Sequence, residues 1–140
     1  GRGTLRPKRA VYSDPAWTRG NTQLPMDPAL FAEFKRATPQ MVRSFNPCWE
    51  EADVQLELAT IDAWDEASAY ALSGSHREER IPERAVVPLV QVAGEGFLFT
   101  EADKERVVAR GFEVRTVEGA GHVIHRDDFD GFMKSLEGWI

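Results

Sequence analysis

Hydrophobic spacing divides the chain into helical and extended stretches. Near the N-terminus, Val11 and Tyr12 form a short apolar segment that ends at Asp14-Pro15, and a residue before proline favours extended geometry. This predicts a short strand. After a loop punctuated by Gly20, Asn21, Pro25 and Pro28, Asp27-Pro28 has the form of a helix start, with Asp27 as cap and Pro28 at the first position. Leu30, Phe31, Phe34 and Ala37 are its apolar positions. Thr38-Pro39 opens a further helical segment with Met41, Val42, Phe45 and Trp49, broken near Pro47. From Ala52 to Leu72 the apolar residues Val54, Leu56, Leu58, Ile61, Trp64, Ala67, Ala71 and Leu72 predict one longer helix or two joined ones.

The second half has a different rhythm. Ser73–Arg84 is polar and reads as a connection. Ala85–Ala93 is nearly continuous in apolar residues, as suits a parallel strand covered on both faces. Gly94-Glu95-Gly96 ends it. Thr100-Glu101-Ala102-Asp103 has the form of a capping box and opens a helix containing Val107, Val108 and Ala109, which Gly111 stops. Phe112, Val114 and Val117 form another short strand. Gly119 and Gly121 break it, and Asp127 or Asp128 then caps a last helix. Its apolar positions Phe129, Phe132, Met133, Leu136 and Ile140 predict one buried face. Strand–helix–strand–helix predicts a parallel sheet with right-handed crossovers, hence an α/β fold.

The chain has 140 residues, 42% of them hydrophobic, with a formal charge of −6. That suffices for one modest core. The acidic balance argues against a nucleic-acid partner. No apolar run approaches the roughly 20 residues of a membrane span, and no signal-peptide pattern opens the chain. The single cysteine, Cys48, allows no internal disulfide and fits a reducing, cytoplasmic setting. The basic start, Gly1 to Arg9, reads as a frayed or processed terminus.

Three histidines bound the imidazole chemistry. His122 follows the second glycine of Gly119-Ala120-Gly121, on a loop between a strand and a helix. There a ring can be presented rather than merely packed. His125 lies three residues on, but no third ligand is spaced convincingly for a metal. Asp127, Asp128 and Asp130 suit the start of a helix, where negative charge is favoured.

The order strand, Gly119-Ala120-Gly121-His122, acidic and aromatic helix start resembles the α/β-hydrolase family. Asp14-Pro15-Ala16 is similar to the turn after that family's sixth strand. The resemblance covers nearly the whole chain but only the C-terminal half of the fold. It implies a core strand and turn at 1–16, a helical cap or lid at 17–80 and the last α/β core at 81–140. It implies a hydrolase of a small, fairly apolar ester, lactone, thioester or amide, without cofactor or metal.

His122 would be the general base. Asp14 would be the orienting acid, with Glu95 and Asp103 as alternatives, because Phe97 stands where the family's usual aspartate is expected. Trp17, Phe31, Phe34, Trp49 and Val123 would line the substrate pocket, with Phe45 and Trp64 as further lid aromatics. No Gly-x-Ser-x-Gly elbow occurs in the sequence, although it precedes the acid and histidine in this fold. The expected partner is therefore an N-terminal fragment or chain of the same hydrolase carrying the nucleophile, pairing beside Val11, with a homodimer also possible. Other implied readings are a dehalogenase-, oxygenase- or lyase-like member of the fold, or a ligand-binding member without catalysis.

Overall fold

The computed structural model describes residues 9–18, 28–71, 80–84, 89–94 and 98–140. The expected cap Asp27, the first residues of the apolar run (85–88), Glu95 and Phe97 lie outside the described residues. The chain forms two compact units, one built from its two ends and the other from its middle, divided near residues 21 and 79.

The first unit is α/β. Strands β1 (Val11–Ser13), β2 (Leu89–Ala93) and β3 (Glu113–Val117) form a parallel sheet in the order β1-β2-β3. In register, Tyr12 pairs with Val90, and Val90 with Val114. The central strand is buried at every position, which is why its sequence is nearly all apolar. Alternation sends its side chains to opposite faces. Val90 and Val92 pack with Ile81, Phe99, Val107 and Phe112. Val107 belongs to α5 (Glu101–Ala109), so that helix covers this face. Ala93 packs with Val117, Ala120 and Ile124 instead. On that side Gln91 donates from Nε2 to the Ser135 hydroxyl (2.5 Å) and the Phe132 carbonyl (3.3 Å). Those two residues lie on α7 (Phe129–Ser135), which covers the second face after the short helix α6 (Ile124–Asp127). Fully burying each of Val90, Val92 and Val107 stabilises the unit by about 1.5–3 kcal/mol.

The caps follow sequence rules. Thr100 and Asp103 close a reciprocal capping box on α5. Asp128 caps α7 by accepting from Gly131 N–H at 2.9 Å. At the other end of α7, Arg115 on β3 donates to the carbonyls of Ser135 and Glu137, satisfying orphan acceptors.

One expectation for α7 is corrected. Its apolar residues do not form one buried face: Leu136 is buried and Phe132 partly so, but Phe129, Met133 and Ile140 are 61%, 41% and 72% exposed. The reason is the closeness of Gly131 to Val117, which turns the Gly131–Phe132–Ser135–Leu136 stripe toward the sheet. The helix also ends at Ser135, before the spacing reaches Ile140.

The second unit is helical. It contains α1 (Pro28–Glu33), a 3-10 turn at Phe34–Arg36, α2 (Pro39–Phe45), α3 (Glu51–Ala63) and α4 (Ala67–Ala71). Thr38 caps α2 through Met41 N–H, as its place before Pro39 suggests. The apolar stretch after Ala52 resolves into two helices, because Trp64 turns extended after α3 and the Asp65 side chain accepts from Ala67 N–H. Lys35 Nζ donates to the carbonyls of Ile61 and Asp62 at 2.9 and 2.8 Å, closing the end of α3. Among its described residues, Ala32, Val42, Trp49, Val54 and Ala69 are buried apolar positions.

Candidate functional site

In a parallel sheet all strands point one way, so the loops after β1 and after β3 leave from the same edge. Asp14 follows β1 directly, and His122 lies on the loop after β3. The structure brings them together across 108 positions of sequence, with His122 Nδ1 2.7 Å from Asp14 Oδ2. A carboxylate oxygen accepts, so Nδ1 carries the proton and donates it. Nε2 then keeps its lone pair.

The two partners sit in opposite environments. The Asp14 side chain is 1% exposed, whereas that of His122 is 53% exposed. Asp14 is held on three sides. Its backbone N–H donates to the Gln91 carbonyl at 2.8 Å, and its Oδ1 accepts from Ala93 N–H at 3.3 Å. The first continues the β1–β2 ladder past the end of the strand, and in the second the Asp14 side chain takes up a backbone N–H of β2. The third contact is the histidine. Asp14 also has φ +39°, left-handed backbone that few residues besides glycine adopt, although aspartate tolerates it better than most. Such strain costs on the order of 1 kcal/mol and persists where the surroundings over-determine it.

The His122 loop is shaped by its glycines. Gly119 has φ +76°. Gly121 lies against Asp127, and a Cβ there would stand 3.1 Å from Asp127 Oδ2. Immediately after His122 the chain enters α6, with Arg126 and Asp127 N–H donating to the Val123 carbonyl. This short helix brings Asp127 back over the loop. The hydrogen bond to Asp14 is the strongest influence on the His122 ring and raises its pKa above the ordinary imidazole value. Partial burial opposes the rise, and the negative charges of Asp14 and Asp127 add to it.

Each of the remaining expected residues has its own surroundings. Asp103, an alternative acid, is committed to the start of α5. Burial alone would raise its pKa, but hydrogen bonds from Thr100 backbone N–H, Arg106, and the Thr100 and Thr18 hydroxyls outweigh it and hold the carboxyl below its usual range. Glu95 lies outside the described residues. Trp17 packs in the core of the first unit, with ring centroids 4.7 Å from Tyr12 and 5.3 Å from Phe112. Val123 flanks His122 at the start of α6 and is half-buried. Phe31, Phe34 and Trp49 belong to the helical unit. Phe31 and Phe34 have ring centroids 6.0 Å apart, Phe34 meets Phe45 at 6.1 Å, and Trp49 is buried. His125 is exposed and lies edge-on to Phe132 at 5.9 Å. Among the described residues, no group of three His, Cys, Asp or Glu side chains could hold a metal ion. Nor is any helix there long and apolar enough to cross a membrane. Cys48 is exposed and free.

Sequence reasoning missed the Ala93 N–H that holds Asp14, the left-handed backbone at Asp14, and the approach of Asp127 to Gly121. The Asp14-Pro15 pair was a partial signal for the second, since a turn aspartate before proline is a place to look for unusual geometry.

No family model and no curated protein matches the chain. Among solved structures, the chain is similar to N-formylmaleamic acid deformylase from Pseudomonas putida S16, with a TM-score of 0.61 and 20% identity. The likeness covers 92% of this chain and 56% of that one, so the chain spans just over half its length.

The fold is therefore α/β, with a three-stranded parallel sheet among the described residues. The family expectation is corrected. A likeness at this identity shows a fold, no family model matches, and neither makes the chain the C-terminal half of an α/β-hydrolase. The expected function falls with it, because the structural likeness is to a deformylase and not to a hydrolase of esters or lactones that lacks its nucleophile.

Proposed function

We propose that Asp14 and His122 form the general-base pair of a hydrolase acting on a small amide-type carbonyl compound, with N-formyl amides as the favoured class. One observation carries this reading: the buried, strained Asp14 carboxylate accepts from His122 Nδ1 at 2.7 Å while half of the ring stays open to solvent. The substrate class rests on the likeness to the deformylase.

In the reaction, Nε2 takes the proton of an attacking O–H as its oxygen adds to the formyl carbon. The imidazolium that forms is stabilised by Asp14, which also fixes the ring and its tautomer. As the C–N bond breaks, the same proton passes from Nε2 to the leaving nitrogen. With water as the attacking group, the products are formic acid, which ionises to formate and a proton in solution, and the free amine or amide. A serine hydroxyl as the attacking group would give the two-step, covalent version.

The test is release of formate from N-formyl amides by the purified protein, compared with His122→Gln and Asp14→Asn. Loss of about a hundredfold or more in kcat/KM for His122→Gln is expected. Unchanged turnover in that variant, or no hydrolysis of any small amide by the unaltered protein, would overturn the assignment.

A further inference from the structure

The mechanism above uses one carboxylate, yet a second lies beside the histidine loop. Asp127 stands one turn into α6, its N–H bonded to the Val123 carbonyl. Its Oδ2 is close enough to Gly121 that a Cβ on that residue would stand 3.1 Å from it, with Cγ at 3.8 Å. Gly121 directly precedes His122. The contact is thus made on the backbone that aims the ring, from the side opposite in sequence to Asp14. We propose that Asp127 is a positioning residue for His122, its carboxylate seated on the Gly121 backbone so that the loop holds the ring toward Asp14. This rests on the general-base reading of His122 and adds a residue to it.

Two independent features agree with it. The first is steric. The position before His122 is glycine, and any side chain there would force the carboxylate away by a few tenths of an ångström. The second is electrostatic. Among the described residues, the charges of Asp14 after β1 and Asp127 on α6 act on the ring, and both favour the imidazolium. Asp14 fixes Nδ1 by direct contact. Asp127 acts through the loop and through its charge.

The experiment is a pH titration of the His122 ring by proton–nitrogen NMR in the full chain, with Asp127→Asn, Asp127→Ala and Asp14→Asn compared with the unaltered protein. Asp127→Ala is expected to lower the His122 titration midpoint and reduce kcat/KM by about two- to fivefold, the range for one partly screened charge. Asp127→Asn keeps the shape and removes the charge, so it should lower the midpoint while leaving the Nδ1–H signal of the Asp14 bond in place. Gly121→Ala, with every charge retained, should broaden or shift that Nδ1–H signal.

If the midpoint in Asp127→Asn matches that of the unaltered protein, or if Gly121→Ala leaves the Nδ1–H signal unmoved, the inference is wrong. The asparagine variant decides the matter even where the alanine variant does not fold. Asp14→Asn separates the two readings. If it too leaves His122 unmoved, the general-base pair itself fails. If it lowers the midpoint while the Asp127 variants do not, only the role of Asp127 is lost.

Discussion

Asp14→Asn is the substitution that tests the site most sharply, because almost everything except the chemistry survives it. Asparagine has the same shape. It tolerates left-handed backbone at least as well as aspartate, so the φ of +39° is no obstacle. Its carbonyl oxygen can still accept from Ala93 N–H, and its backbone N–H still reaches the Gln91 carbonyl. What changes is the partner of His122 Nδ1, 2.7 Å away. A carboxylate accepts there. An amide turned with its oxygen to Ala93 presents NH2 instead, so the ring must become the acceptor at Nδ1 and carry its proton on Nε2. The base is then blocked.

A positioned general base contributes about a hundredfold to ten-thousandfold in rate, or roughly 3 to 5 kcal/mol of barrier. In the serine-protease triad, the same aspartate-to-asparagine change costs on the order of ten-thousandfold. The loss expected here is therefore at least a hundredfold in kcat. Stability should fall by only about 1 kcal/mol, the difference between a charge-assisted and a neutral hydrogen bond. Formate release measured alongside ring-nitrogen NMR separates these effects. A variant that keeps its kcat within about threefold, a difference worth under 1 kcal/mol of barrier, or whose ring keeps its proton on Nδ1, would refute the reasoning.

Further outcomes follow from the same structure. Because the folded pKa of His122 is raised, its contribution to stability is fully present below the ordinary imidazole value of about 6.5 and is lost as pH rises through the higher folded value. Thermal unfolding followed by circular dichroism should thus show a Tm that declines above that point, and a flatter decline in Asp14→Asn. Activity runs the other way, since the base must be neutral, and kcat/KM should rise through the same raised value. Gly131→Ala would place a Cβ 2.1 Å from Asp128 Oδ2 and 2.9 Å from Val117 Cγ1. Losing the cap costs about 1 kcal/mol and overpacking about 1–3, against about 1 regained in helix propensity. Net destabilisation of about 2 kcal/mol is expected in denaturant unfolding, and a variant as stable as the parent would contradict it. Thr100→Ala removes the acceptor of Asp103 N–H and should cost about 1 kcal/mol in the same assay.

What could be read from the sequence was local. The apolar run ending at Ala93 read as a strand buried on both faces because burial leaves composition as its trace. Thr100, Thr38 and Asp128 declared their helices because a cap needs only a side chain and an N–H a few residues apart. The α/β class followed from the order of these elements. The helix face around Phe129 and Met133 did not read correctly, because spacing gives a candidate stripe while the close Gly131–Val117 approach chooses the stripe that is used. In α3, Val54, Leu56 and Leu58 stand two apart, a spacing that no single helix face can bury. Val54 is fully buried and Leu56 is 55% exposed. Gln91 was hidden inside an apolar run, though it anchors α7. The pairing of Asp14 with His122 was legible only through resemblance, because nothing local links residues 108 positions apart, and the same resemblance led to a family that the comparisons do not bear out.

Sheet geometry explains why the site lies where it does. With strands ordered β1-β2-β3, Asp14 and the end of β3 are separated by two strand widths, about 9 to 10 Å. The loop after Val117 must therefore cross the end of β2 to reach Asp14. It does so in the five steps from Val117 to His122, whose extended reach of roughly 16 to 18 Å leaves room for the turn that bonds Ala120 N–H to the Val117 carbonyl. Gly94, just past β2, bonds from its N–H to the Val117 carbonyl at 2.9 Å and keeps that crossing close to the sheet. Asp14 meets the loop from the other side, its own N–H and Oδ1 held by Gln91 and Ala93 of the same central strand. Both halves of the pair thus take their position from β2, the most completely buried strand. The chemistry sits on loops, but its distances are set by the most completely buried part of the sheet, as a pre-organised base requires.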